Sequence, residues 1–142
     1  MTFIQGFGMH VARLGFTPEM RLRTYRDLAA RLEAGLPLAD ALGALQAAPA
    51  PGPRGRALGD WRAKVAAGLP FSAAVAGWVP KSDRMILKAS EEAGDVLSGI
   101  LNAEFLAVAG RQVRVAFTVE FLRLAFLAAV AAAGVAAFLH AR

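Results

Sequence analysis

The stretch AGLPLADAL (residues 34–42) returns almost unchanged as AGLPFSAAV (residues 67–75). Both read as helix punctuation. Gly35 ends one helix, because glycine takes the left-handed backbone that lets the last carbonyls find partners. Pro37 then opens the next, where its missing N–H is not needed and its fixed φ is already helical. Gly68 and Pro70 repeat the arrangement, and Gly94 in EEAGDV closes a further helix. Each phrase therefore predicts a sharp corner between two helices.

The flanking residues agree. Thr17 reads as an N-cap, followed by Pro18 at the first helical position and Glu19 in the first turn. PEMRLRTYRDLAARLEA then places Leu22, Tyr25, Leu28, Ala29 and Leu32 on one stripe, with Arg21, Arg23, Arg26 and Arg31 off it. PLADALGALQAA carries Leu38, Ala41, Leu42 and Leu45 on one side. A third helix is predicted over about residues 57–67 and a short fourth from Pro70 to near Trp78. VPKSD breaks the chain, with Ser82 or Asp83 capping a fifth helix, DRMILKASEEA. Asp95 caps a sixth, VLSGILNAEFLAVAGRQVR. Trp61 and Trp78 sit at apolar positions and read as core. APAPGPRG (residues 48–55) separates the halves as a loop, since its prolines and glycines do not suit a helix interior. Two copies of the corner are too few for a solenoid. The predicted fold class is all-α: a six-helix cytoplasmic bundle of helical hairpins, its last helix continuing into one transmembrane helix.

The end of the chain carries that transmembrane reading. VAFTVEFLRLAFLAAVAAAGVAAFL (residues 115–139) contains only Glu120 and Arg123 as charges. About 20 mostly apolar residues suffice to cross a bilayer as a helix. Glu120 and Arg123 stand on one helix face where the chain enters the membrane, placed to pair or to reach the headgroups. Arg111 and Arg114 flank the segment on its N-terminal side, and only Arg142 lies beyond it. The basic side stays in the cytoplasm, so the bundle is expected there. The expected organisation is residues 1–16 as an amphipathic or flexible segment, 17–112 as the bundle, and 113–142 as the membrane helix and a short tail. Phe3, Ile4, Phe7, Met9, Val11, Leu14 and Phe16 let that first segment either lie on lipid or a partner, or pack on the bundle.

Composition narrows the function. The net charge is +5, but the basic residues are scattered among acidic ones, and no recognition motif accompanies them, which argues against nucleic acid. The absence of cysteine removes disulfides and thiolate chemistry. MTFIQGFGMHVARLGF is a poor signal peptide, lacking both a basic start and an unbroken apolar run. His10 and His140 are the only histidines and have no partner at metal-ligand spacing. No phosphate loop or Ser–His–acid set is present, so no enzyme and no cofactor are predicted. The one acidic cluster, Glu91, Glu92 and Asp95, is either a solvated corner with one cap or a site for a divalent cation or a basic partner.

YRDLAARLEAGLPLADAL, then WRAKVAAGLPFSAAV, then VPKSDRMILKASEEAGDVL, then a helix entering the membrane, resembles the type II secretion system F family. These are inner-membrane platform proteins of type II secretion and type IV pilus machines. Leu28, Ala34, Gly35, Leu36, Leu38, Ala41 and Leu42 match the family's first element, and Val65, Gly68, Leu69 and Ala74 its second. Glu91 and Gly94 stand where the third has its glutamate and second glycine; Ser90 and Ala93 replace its first glycine and serine, and Val96 holds the apolar position. The Tyr-Pro pair near the membrane is replaced by AFTVEF, which suggests a divergent branch. The resemblance implies a bacterial inner-membrane protein with a helical cytoplasmic domain that associates as a homodimer or higher homo-oligomer. Its implied partners are a secretion or pilus assembly ATPase, pilin or pseudopilin subunits, and membrane lipid. Arg21, Arg23 and Arg26 are the candidates for an acidic ATPase surface, the other reading being a solvated helix face. Full-length members have two such domains and usually three spans, so this chain is expected to be a piece of a longer protein or the product of a split gene. The competing reading is a membrane-anchored helical adaptor that recruits a soluble protein, unrelated to secretion.

Overall fold

The structure is a computed structural model that describes residues 11–48 and 52–141, with the backbone alone for residues 111–115. Phe3, Ile4, Phe7, Met9 and His10 lie outside the described residues, as do the side chains of Arg111 and Arg114. The chain divides into two compact units, Met1–Ala107 and Val108–Arg142. The elements are α1 (Pro18–Glu33), α2 (Leu38–Ala47), α3 (Pro53–Ala66), α4 (Phe71–Ala74), α5 (Lys81–Glu92) and α6 (Val96–His140), after a helical turn at residues 11–14. The fold is all-α; the described residues hold an isolated bridge between Ala76 and Val79 and no strand.

The corners form as their sequences dictate. Thr17 Oγ1 accepts the N–H of Met20 at 3.3 Å, starting α1 with Pro18 in its first turn. At the other end Gly35 takes φ 88°. Its N–H donates to the carbonyl of Leu32 at 2.9 Å, and that of Leu36 to the carbonyl of Arg31 at 3.1 Å. This pair of bonds closes a helix onto a left-handed residue. The same pair returns at Gly68, to Val65 and Lys64, and at Gly94, where the N–H of Asp95 reaches Ser90 at 2.8 Å. Asp95 then caps α6, accepting the N–H of Ser98 at 3.0 Å and its hydroxyl at 2.6 Å.

Between the corners, the apolar stripes meet in one core. Tyr25 and Leu28 of α1, Ala41 and Leu42 of α2, Leu58 and Trp61 of α3, Leu87 of α5 and Ile100 of α6 are all fully buried. Each large apolar side chain so buried contributes about 2 kcal/mol. Phe16 packs edge-on against Trp61 at 5.8 Å and Trp78 at 5.9 Å, and Trp61 does so against Phe71 at 5.8 Å. The last residues of the N-terminal segment thus belong to the core, Ala12 and Phe16 included, while Val11 and Leu14 are exposed.

Three local expectations change. α3 starts at Pro53, inside the predicted loop, because a proline and a following glycine are tolerated in a first turn. α4 ends at Ala74 instead of near Trp78. Gly77 there takes φ 83°, and the Arg13 guanidinium lies about 3.1 Å from where a Cβ would stand, stacked over the Trp78 ring at 5.7 Å. α5 starts at Lys81 after Pro80, without a side-chain cap; Asp83 is buried instead.

In the second unit, Ala116–His140 forms a 25-residue apolar helix of mean hydropathy 2.2 with none of its most apolar stretch buried, a candidate membrane span by length and composition. Among the described residues, Glu120 and Arg123 form no ion pair with each other.

The corner glycines predict their own test. A Cβ at Gly35 or Gly68 would meet nothing within 4 Å, so only the left-handed backbone opposes it. Gly35→Ala and Gly68→Ala should each destabilise the full chain in detergent micelles by about 1–2 kcal/mol in urea unfolding followed by circular dichroism, with Gly35→Asn milder.

Candidate functional site

The polar groups of the first unit decide which charges remain for a partner. Asp83 is 1% exposed and sits against α1. The Tyr25 hydroxyl donates to its Oδ2 at 2.9 Å, and Nε of Arg21, one turn earlier, lies 3.2 Å from the same oxygen. The Ser82 hydroxyl donates to Oδ1 at 3.2 Å. A carboxylate removed from water is costly unless it is paired and hydrogen-bonded, and this one is both. Burial pushes the Tyr25 phenol far above its ordinary range; the charge of Asp83 and its hydrogen bond push the same way, while Arg21 opposes them.

The three α1 arginines therefore separate. Arg21 is turned inward, its side chain 12% exposed. Arg26 donates to Glu104 of α6 at 2.7 Å. Arg23 is exposed to solvent. Arg54 at the start of α3 donates to Thr24 at 3.0 Å and pairs with Asp27, tying α3 to α1. Asp60 accepts from Lys64 at 2.7 Å and from the Trp78 indole N–H at 2.8 Å.

The acidic trio separates too. Both oxygens of Glu91 accept backbone N–H groups at the start of α4, from Phe71 and, at 3.0 Å, from Ser72. Glu91 thus supplies from α5 the cap that Pro70 cannot, having no side-chain acceptor. Glu92 lies 3.9 Å from Lys88 at the surface. Asp95 caps α6, and the Ser98 hydroxyl, followed by the Ser98 N–H, holds its carboxyl below the usual range. Among the described residues, no three acidic or histidine side chains converge in a way that could hold a metal ion.

One basic group stands outside those readings. Lys81, Arg84 and Lys88 lie on the exposed face of α5 and border a groove against α4. Their spacing in KSDRMILK was visible in the sequence; that α4 would lie beside them was not.

The family model described as Type II secretion system (T2SS), protein F, matches residues 24–141. The chain belongs to that family. Among curated proteins, none matches. Membership implies a platform-protein role in secretion or pilus assembly, with partners inside that machinery. Family members are structural platform components, not known enzymes. The match runs from α1 into the apolar helix, and span and family together support an inner-membrane protein.

Two outcomes test the roles assigned here. Tyr25 is the only tyrosine. The fold keeps its phenol neutral, whereas the unfolded chain ionises it near 10.0. Stability from this source is complete below that pH and is lost as the pH rises above it. Phenolate absorbance should therefore appear only together with unfolding, and Tyr25→Phe should flatten the alkaline fall of the urea midpoint. Separately, Glu91→Ala should cost about 1–2 kcal/mol, as the loss of a helix cap does, while Glu92→Ala stays within about 0.5 kcal/mol.

Proposed function

We propose that this protein is the platform subunit of a type IV pilus or type II secretion machine and couples a cytoplasmic assembly ATPase to pilin or pseudopilin assembly. The helical unit faces the cytoplasm and grips the ATPase, and the membrane helix serves the subunits being assembled. Residues 17–112 act as the gripping domain and 113–142 as its anchor. The protein works as a homodimer or higher homo-oligomer, and its task is mechanical coupling, not bond chemistry. The single observation that carries this reading is the family match over residues 24–141, which joins the helical unit and the apolar helix in one recognised element. Arg111 and Arg114 on the N-terminal flank support the cytoplasmic orientation, since basic flanks are retained on that side. Of the α1 arginines, Arg23 stands free for an acidic partner and Arg26 can exchange Glu104 for one; Arg21 serves the core.

The test uses the chain in its own membrane. A tagged full chain solubilised in mild detergent should retain the hexameric assembly ATPase of its machine, and its deletion should stop piliation or secretion. Because the chain has no cysteine, Ala66→Cys reports orientation cleanly. It should react with an impermeant maleimide only after the inner membrane is opened. Labelling in intact spheroplasts, or full secretion and piliation without the protein, overturns the proposal.

A further inference from the structure

Among the described residues of the first unit, the α5 groove brings exposed charge and an apolar surface together without an internal use. Lys81, Arg84 and Lys88 follow one another along two turns, about 10 Å of helix. They border a groove of about 430 Å³, lined also by Pro70, Ala73 and Met85. Met85 is 63% exposed, an apolar side chain standing in water with cations before and after it. Lys81 has no acidic partner among the described residues. Arg84 donates to the Ser72 carbonyl at 3.4 Å, which orients the guanidinium without neutralising it. Lys88 faces Glu92 at 3.9 Å with both side chains mostly exposed, so that pair contributes little. Glu91, at the far end, is already held by the start of α4.

We propose that this groove docks an acidic amphipathic helix of a protein partner. Carboxylates spaced three and four residues apart on such a helix meet Lys81, Arg84 and Lys88 in turn, and one apolar side chain between them sits on Met85, Pro70 and Ala73. A protein helix fits better than a lipid surface. A planar headgroup layer would meet the cations but would leave the groove and Met85 unfilled. The inference rests on the groove itself and holds whichever component of the machine supplies the helix.

The probe is a fluorescein-labelled, alanine-based helical peptide with glutamates at i, i+3 and i+7 and a leucine at i+4. It is titrated by anisotropy into the full chain in neutral detergent micelles. The peptide should bind saturably, and Lys81→Glu and Lys88→Glu should each weaken it about tenfold, a change of about 1.4 kcal/mol. Lys81→Glu places an acid in a helical first turn, where the dipole favours it, so the fold is kept. A peptide with the facing glutamate changed to lysine should recover binding to Lys81→Glu, and Arg62→Glu, an exposed arginine of α3 outside the groove lining, should leave affinity unchanged. The proposal is overturned if a scrambled peptide of equal charge binds as well, or if Arg62→Glu weakens binding as much as Lys81→Glu. It is also overturned if phosphatidylglycerol nanodiscs abolish binding that phosphatidylcholine nanodiscs allow, which assigns the groove to lipid headgroups.

Discussion

A carboxylate with no access to water holds the helical unit together. Asp83 is buried between α1 and α5, and its charge is tolerable only because Arg21 and Tyr25 approach it from one side and Ser82 from the other. The principal helix packing runs from each helix to the next in sequence, α1 with α2 through to α4 with α5. Such a chain of neighbours does not by itself bring its first member back to its last. The Tyr25–Asp83 bond joins residues 58 apart, and Arg26–Glu104 makes a second tie from α1 to α6. Loss of either partner from the buried set would leave an uncompensated charge or donor, the costliest kind of defect in a small core.

The corners make that closure geometrically available. Three helices end on the same pair of backbone bonds, and each reversal is compact because glycine accepts a positive φ, here 76–88°. The hairpins can then face one another with Trp61, Phe71 and Leu58 between them. α6 packs close against α5, since a Cβ at Gly99 would stand 2.7 Å from the Ser90 side chain.

Internal needs also sort the surface. Arg21 and Arg54 are taken up in holding α1 to α5 and α3, and Arg26 is shared with Glu104. Glu91 is used as a cap for a four-residue helix. Among the described residues, Arg23 on α1 stays exposed, and Lys81, Arg84 and Lys88 gather on the outer face of α5. Charge counted along the chain thus misplaces the basic surface, because half-buried cations contribute to cohesion and not to the field a partner meets.

The sequence alone determined the local events. Thr17, Gly35, Pro37, Gly68, Pro70, Gly94 and Asp95 act within a few residues of themselves, through backbone conformation and capping bonds that need no distant partner. The apolar stripes of α1 and α2 and the apolar run after residue 115 are equally local, and they marked the all-α fold and the candidate span. The tertiary structure decided which charges were spoken for. Asp83 looks like a cap in VPKSD, and Arg21 looks like a solvent-facing arginine. Only the packing of α5 on α1 removes both from water and forces them together. In the same way Glu91 becomes a cap, and Lys81, Arg84 and Lys88 the rim of a groove, because α4 lies beside α5. Desolvation and long-range pairing depend on neighbours far away in the chain, and one-dimensional spacing does not contain them.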